Sequence, residues 1–471
     1  MPPNVLVVIL DAARRDALEP YGAPAGSSPA IAQLARRGRA HDDVYATGCW
    51  TVPSHASIFT GLMPRAAGLA RVPSPAAAKP ALEAHRDRLL PEVMRRAGYS
   101  TAAASANLWL CGASGFATGF DDFEEIDTDR NAQINLTSRK EHLRWLAEAA
   151  VSRADDGARA VESAMAQWLA DSSRRPFFWF VNLLECHSPY LPPRPYGARS
   201  PLERLRAAED ARRHYTLEGI WRACTGIATV PDATLERMRR LYAASVRYMD
   251  DWLSRVLERL DTAGVLDETL VVVTSDHGEN LGEGGLIGHA LSLDQRLINV
   301  PLVMAGPGAD ASVGSLAELP RVVAEAAAVE NHPWTDGPPR GVGVAQFDPP
   351  FDVGDPEAVE RLRKAGLEEA HEGLTTPLTC AVAGGLKLLR RGDTELVYDL
   401  DADPLELDPK PPQHFEAAGR ANELRALRAA LEHPAVTARS ADDAASAPPE
   451  AETSDEERED LERRMRLLGY M

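Results

Sequence analysis

Apolar runs stand at residues 4–10, 176–184, 270–273 and 299–304 of the chain. Each is continuous instead of alternating and rich in Val, Ile, Leu or Phe, the pattern of strands buried on both faces of a parallel sheet. Pro301 places the last of them at a sheet edge or a strand start, because proline cannot donate into a central ladder. Between the runs the period changes. Leu235, Met238, Tyr242, Val246, Met249, Leu253, Val256 and Leu260 recur every three or four residues, which predicts a long amphipathic helix with Asp232 as its candidate cap and Gly264 as its stop. Ser28-Pro29, followed by Ile31, Leu34 and Ala35 and then Gly38, predicts a shorter helix. Residues 89–98 predict another, with a short strand at 100–104 after it. Strands alternating with helices predict an α/β domain. Mixed polar helices are expected over 121–175, and a helical insertion over the same edge at 195–232, forming part of a substrate lid.

Toward the C-terminus the pattern weakens. Residues 306–375 are rich in Gly, Pro, Asp and Glu and define few elements. Residues 378–389 and 395–400, separated by Arg390-Arg391-Gly392-Asp393-Thr394, predict an antiparallel hairpin in a small second unit. Residues 436–454 have the composition of a mobile linker, and 456–468 regain helical character, with Leu467, Leu468 and Tyr470 available for docking. The division expected is a main domain over 1–370, a C-terminal subdomain with the hairpin over 371–435, and a linker with a terminal helix over 436–471. No internal repeat is visible.

Composition narrows the picture without naming a chemistry. Of 471 residues, 44% are hydrophobic, enough for a sizeable core. The formal net charge of −19, with no basic block to offset it, argues against nucleic acid or an anionic membrane as a main partner. No apolar run approaches the roughly 18 residues that span a bilayer, and no basic leader precedes the first strand, so a cytoplasmic location is the expectation. The five cysteines, an odd number without a C-x-x-C pair, read as reduced thiols and not as a zinc cluster or disulfide frame. Nothing here sets an oligomeric state.

Titratable residues then cluster where the strands end. Asp11 follows the first run, Glu185, Cys186 and His187 follow the second, and Asp276 and His277 follow the third. In open α/β sheets ligands collect at the carboxyl ends of strands, so these are candidate metal or substrate groups, although an Asp-His pair by itself also reads as a loop cap and a packed imidazole. The segment from Thr51 to Gly61, with Pro53 in its first turn, predicts a helix entered at Thr51. A hydroxyl there can cap the helix, or it can serve as a nucleophile beside unpaired N–H groups that favour an anion.

In order, these pieces resemble the sulfatase branch of the alkaline phosphatase superfamily over roughly residues 4–405: Asn4-Val5 through Asp11, Thr51-Val-Pro-Ser-His-Ala-Ser-Ile-Phe-Thr-Gly61, His187-Ser188-Pro189-Tyr190, Ser275-Asp276-His277-Gly278-Glu279 with Gly288-His289, Tyr398-Asp399-Leu400 with Asp403-Pro404, and Leu468-Gly469-Tyr470. The resemblance implies an alkaline phosphatase-like α/β/α sandwich with a mixed, largely parallel sheet and a small C-terminal antiparallel subdomain. It implies Asp11, Asp276 and His277 as metal ligands, Thr51 as the nucleophile whose oxygen also touches the metal, His187 as a contact to the transferred group or leaving oxygen, and His289 at a position that is often lysine.

Two departures shape the functional expectation. The C-x-P-S-R type signature, whose Cys or Ser becomes formylglycine, reads Thr51-Val52-Pro53-Ser54-His55 here, and threonine cannot be converted. The window is similar instead to threonine-using members, the lipoteichoic acid synthase-like phosphotransferases and the nucleotide pyrophosphatase/phosphodiesterases. Ala12 stands where a second Asp ligand is usual. The expectation is one divalent metal, Mn, Zn or Mg ahead of Ca because His277 supplies nitrogen. Asp210 and His214, spaced four apart, with His289 as a late ligand, leave a second metal open. His41, His55, His85 and His142 are expected at the surface or in packing, and Glu279 and Glu283 behind the ligands or in solvent. The function implied is hydrolysis or transfer through Thr51 on a phosphodiester or related phosphoryl ester, with a small anionic ester as partner. The alternatives are a sulfate ester hydrolase without formylglycine and a non-catalytic binding protein that keeps the fold.

Overall fold

The computed structural model describes residues 2–126, 155–197, 200–335, 337–350, 356–364, 366–368 and 371–439. The terminal helix expected at 456–468, nearly all of the expected linker and the middle of the polar 121–175 segment lie outside the described residues.

A seven-stranded sheet is built from β1 (Asn4–Leu10), β2 (Arg39–His41), β3 (Ser100–Ser105), β4 (Asp122–Glu125), β5 (Phe177–Leu183), β6 (Thr269–Thr274) and β7 (Leu302–Ala305), in the spatial order β2-β7-β6-β1-β5-β3-β4. β1 lies between β5 and β6, parallel to both, with Val5 opposite Phe178 on one side and Leu270 on the other. β7 runs antiparallel to both of its neighbours, so the sheet is mixed and largely parallel. Pro301 sits just before β7, where no ladder donor is lost.

Every residue of β1, β5 and β6 is buried, because helices cover both faces. Leu6, Val8 and Leu10 pack with Met238, Val246, Met249, Trp252, Leu253 and Val256 of the long helix Asp232–Thr262. Val5, Val7 and Ile9 pack on the other side with Val52, Ala56 and Phe59 of Thr51–Thr60 and with Val322 and Val323 of Leu319–Ala326. The two-residue period of a strand feeds both layers, which is why the runs are continuous. Full burial of each such side chain contributes about 1.5–3 kcal/mol.

Helix ends show where local reading stops. Pro29–Arg37 begins after Ser28, as expected, yet the Ser28 side chain accepts from the Glu19 N–H. The first-turn N–H groups of Ala30 and Ile31 donate instead to the Asp250 carboxylate on the long helix, both at 2.9 Å. Asp232 opens the long helix with Pro231 at the cap position.

A second sheet contains β8 (Gly343–Phe347), β9 (Leu378–Ala383), β10 (Leu386–Arg391) and β11 (Thr394–Asp399), antiparallel in that order. The expected strand at 378–389 is therefore two strands, broken at Gly384 and Gly385, whose φ values of 57° and 74° suit a tight turn that only glycine enters freely. β8 comes from the stretch that defined few elements. One face of this sheet is covered by Ala421–Leu431, while the other packs Ala345, Cys380 and Leu389 against Tyr45, Leu293 and Leu297 of the main body. Among the described residues, no helix is long and apolar enough to cross a membrane.

Candidate active site

Four neighbouring strands end at one place. β1 delivers Asp11, β6 delivers Asp276 and His277, β5 carries Asn182 at its last turn of pleat, and Asn107 lies just past β3. Ser275 ties two of these ends together: its hydroxyl donates to the Leu10 carbonyl at 2.7 Å and accepts from the Ala13 N–H at 2.9 Å. Only glycine fits at 278, because a Cβ there would stand 1.9 Å from the Arg296 carbonyl oxygen. Ala12 takes φ of 60° and gives its N–H to Asp276 Oδ1 at 3.3 Å, while its carbonyl accepts from Tyr242 Oη at 2.8 Å. A left-handed non-glycine residue costs about 1–2 kcal/mol, and here that backbone orients the carboxylate beside it.

Asp11, Asp276 and His277 are fully buried and each presents a polar atom without a hydrogen-bond partner: Asp11 Oδ1, Asp276 Oδ2 and His277 Nε2. The imidazole nitrogen is 3.8 Å from the first oxygen and 3.5 Å from the second. His277 Nδ1 donates to the Gly278 carbonyl at 2.8 Å, so Nε2 carries the lone pair. Burial pushes the Asp276 carboxyl up to about 7 and holds the His277 imidazole down to about 3, with His289 adding to the latter. Three lone-pair atoms facing one another, unpaired and out of water, fit a divalent cation. Among the described residues, this is the one trio of Asp, Glu, His or Cys side chains close enough to hold a metal. Asp210 instead accepts from Thr234 and pairs with Arg237 at 2.6 Å, so it is committed to residues of the long helix.

Thr51 is the first residue of its helix and its hydroxyl is buried beside this trio. Asn107 Nδ2 donates to Asp11 Oδ2 at 2.8 Å and to Thr51 Oγ1 at 3.2 Å, so one amide joins the carboxylate and the hydroxyl. No side chain caps this helix, which leaves its first-turn N–H groups, Pro53 excepted, available to an anion.

His187 and His289 stand together, with ring centroids 4.8 Å apart, and His289 lies 4.4 Å from His277. Glu279 is buried behind them, with Oε1 3.0 Å from His289 Nδ1 and Oε2 accepting from Tyr190 Oη at 2.7 Å. That contact fixes His289 with its Nδ1 hydrogen toward the carboxylate and Nε2 as the reactive nitrogen. Burial, with His187 adding to it, holds His289 down to about 3, a neutral imidazole at pH 7. Glu283 pairs with Arg14 at 2.8 Å, whose guanidinium also reaches Asp16, so this cation is occupied by carboxylates.

The structure thus brings together Asp11, Thr51, Asp276 and His277, with His187 and His289 against them, and does not bring in Asp210. Sequence reasoning missed Asn107 and Asn182, and left His55 among general packing residues. His55 is indeed buried, but its Nδ1 lies 3.5 Å from Asp276 Oδ2. The available signal for Asn182 was a lone polar residue inside an apolar run, and for His55 its position one helical turn after Thr51.

Known proteins resemble the chain over much of its length. The chain is 26% identical over 441 residues to the choline-sulfatase of Rhizobium meliloti (strain 1021), covering 86% of this chain and 81% of that one. It is 24% identical over 351 residues to the iduronate 2-sulfatase of Homo sapiens, covering 67% and 62% of the two chains. Among solved structures, the phosphonate monoester hydrolase of Agrobacterium radiobacter superposes with a TM-score of 0.63 over 91% of this chain and 95% of that one, at 19% identity. The corresponding enzyme of Silicibacter pomeroyi gives 0.61 at 18% identity, with the same coverage. The profile of the sulfatase family matches residues 3–329, and on that match the chain belongs to the sulfatase family.

Proposed function

We propose that this sulfatase-family hydrolase acts through Thr51 on a phosphodiester or a phosphonate monoester. The observation that carries the reading is the shared donor: Asn107 holds the Thr51 hydroxyl and the Asp11 carboxylate with one amide nitrogen, which places a hydroxyl at the edge of the cation site and at a helix N-terminus. Asp11, Asp276 and His277 would hold a divalent metal, as sulfatase-family enzymes use, and when bound it supplies Lewis acidity and lowers the pKa of a neighbouring hydroxyl.

The chain's own groups do the rest. Thr51 Oγ1 forms a bond to phosphorus while the bond to the leaving oxygen breaks. The Thr51 proton passes to an imidazole of the His187–His289 pair and from it to the leaving alkoxide, with Glu279 keeping the His289 tautomer. Water then attacks phosphorus, the same imidazole takes its proton, and Thr51 Oγ1 departs with a proton returned. Threonine favours phosphorus over sulfur. A formylglycine hydrate has a second hydroxyl that can expel sulfate by breaking a carbon–oxygen bond, whereas a threonine adduct must be attacked at its central atom. The charge around the cation suits a monoanion better than a dianion: the Asp11 and Asp276 carboxylates would balance one divalent cation, burial holds His277 and His289 neutral, and Glu279 lies behind them.

Sulfate ester hydrolysis is the second reading, favoured by the likeness to the choline-sulfatase over most of both chains. A panel of aryl phosphodiester, phosphonate monoester, phosphomonoester and sulfate esters of equal leaving-group pKa, assayed with Mn, Zn, Mg and Ca, separates the two. The proposal expects kcat/KM to be highest for the diester or the phosphonate. A sulfate ester above both would replace it with the second reading.

A further inference from the structure

His55 lies one helical turn below Thr51 and is completely buried. Phe116 and Phe180 meet its ring edge-on, with centroids at 6.3 and 5.9 Å. Its Nδ1 is 2.9 Å from the Thr51 carbonyl oxygen, so that nitrogen carries the hydrogen and donates. The same Nδ1 stands 3.5 Å from Asp276 Oδ2, an oxygen without a hydrogen-bond partner. Nε2 is left as the acceptor and lies 3.4 Å from Asn182 Nδ2, which also donates to Asp11 Oδ2 at 3.3 Å. An amide nitrogen carries two hydrogens, so both contacts are met in one orientation of Asn182.

We infer that His55 is a positioning residue whose imidazole ties the first turn of the Thr51 helix to the cation site, linking the Thr51 carbonyl to Asp11 through Asn182 with its ring lying beside Asp276. The inference rests on the reading of Thr51 as nucleophile and deepens it. An arginine in this place would bring a permanent charge that competes with a cation for the carboxylates, whereas the imidazole supplies geometry alone. Without Nε2 to accept from it, Asn182 is free to rotate away from Asp11. Without Nδ1–H, the ring loses the bond to the Thr51 carbonyl that aims its Nε2 at Asn182.

The test compares His55→Leu, which removes both nitrogens and keeps an apolar side chain among the phenyl rings, with His55→Asn, which keeps a donor near the Nδ1 position. Mn2+ binding to the metal-free full chain is measured by equilibrium dialysis, and kcat and KM on the best ester of the panel. His55→Leu is expected to weaken Mn2+ affinity and lower kcat by roughly 10–100-fold each with KM changed less than about threefold, and His55→Asn to recover most of both. Wild-type Mn2+ affinity in His55→Leu, or His55→Asn as impaired as His55→Leu, overturns the inference. Dialysis needs no substrate, so it decides the role of His55 even where no ester is turned over, a result that sinks the functional reading alone. If His55→Leu fails to fold by circular dichroism, His55→Asn against His55→Gln takes its place. Asn should then bind Mn2+ more tightly, and the reverse order overturns the inference.

Discussion

Asn107 holds Thr51: its amide nitrogen lies 3.2 Å from the Thr51 hydroxyl and reaches Asp11 at 2.8 Å with the same atom. Its side-chain oxygen accepts from the Trp109 N–H at 2.9 Å, which locks the amide so that the nitrogen faces the site. Asn107→Ala should therefore lower kcat by roughly 10–100-fold, in the range for groups that orient a metal ligand or nucleophile. Asn107→Asp should be worse than Ala, because it sets a carboxylate against Asp11. Steady-state kinetics with melting curves for each variant measure both, and Asp outperforming Ala would contradict the donor role.

Thr51→Ala should keep the fold and lose turnover by several orders of magnitude, while Thr51→Ser keeps a hydroxyl at the same helix position and retains part of it. Intact mass of the wild type should show an unmodified threonine. Near-normal turnover in Thr51→Ala would mean that water attacks the ester directly.

Much of this site was legible because strands announce their ends. Asp11 follows directly on an apolar run, Asp276 and His277 come just after Thr274 and Ser275 at the end of another, and parallel strands must bring such ends to one edge. Asn107 and Asn182 carry no comparable mark: an amide has no charge, and Asn182 reads as a gap in a buried strand until the register sets it beside Asp11. The fold failed to announce itself where contacts are remote. Asp250 caps a helix more than two hundred residues away in sequence, and the Gly384-Gly385 turn is hidden between two apolar strands whose shared period looks like one.

Removal of one ligand should remove the cation. Asp276→Asn leaves Oδ1 able to accept from Ala12 and His277 but replaces one anionic oxygen facing the site. A bound metal stabilises the native state by about 2.7 kcal/mol at a hundredfold excess over Kd, so the wild type should melt higher with Mn2+ than with chelator. Asp276→Asn and Asp11→Asn should melt at one temperature in both. A full metal-dependent shift in either variant would move the cation elsewhere.

Glu185 gives the stability of this protein an alkaline limb. The side chain is buried at the end of β5, Oε1 accepts from the Ala158 N–H at 2.9 Å and Oε2 has no partner. Burial, with Asp156 and Asp155 adding to it, pushes the carboxyl up to about 8 from the ordinary 4.5. The folded chain therefore holds a proton that the unfolded chain releases. Glu185 contributes its full stabilisation below about 4.5, and that contribution is lost as pH rises through about 8. Each pH unit across the window costs at most about 1.4 kcal/mol. Glu185→Gln keeps an oxygen for Ala158 and removes the titration, so it should gain on the wild type steadily between pH 5.5 and 8.5, whatever its offset at the acid end. Denaturant midpoints for both proteins at several pH values across that range measure the difference, and parallel curves would show that Glu185 is already ionised in the folded chain.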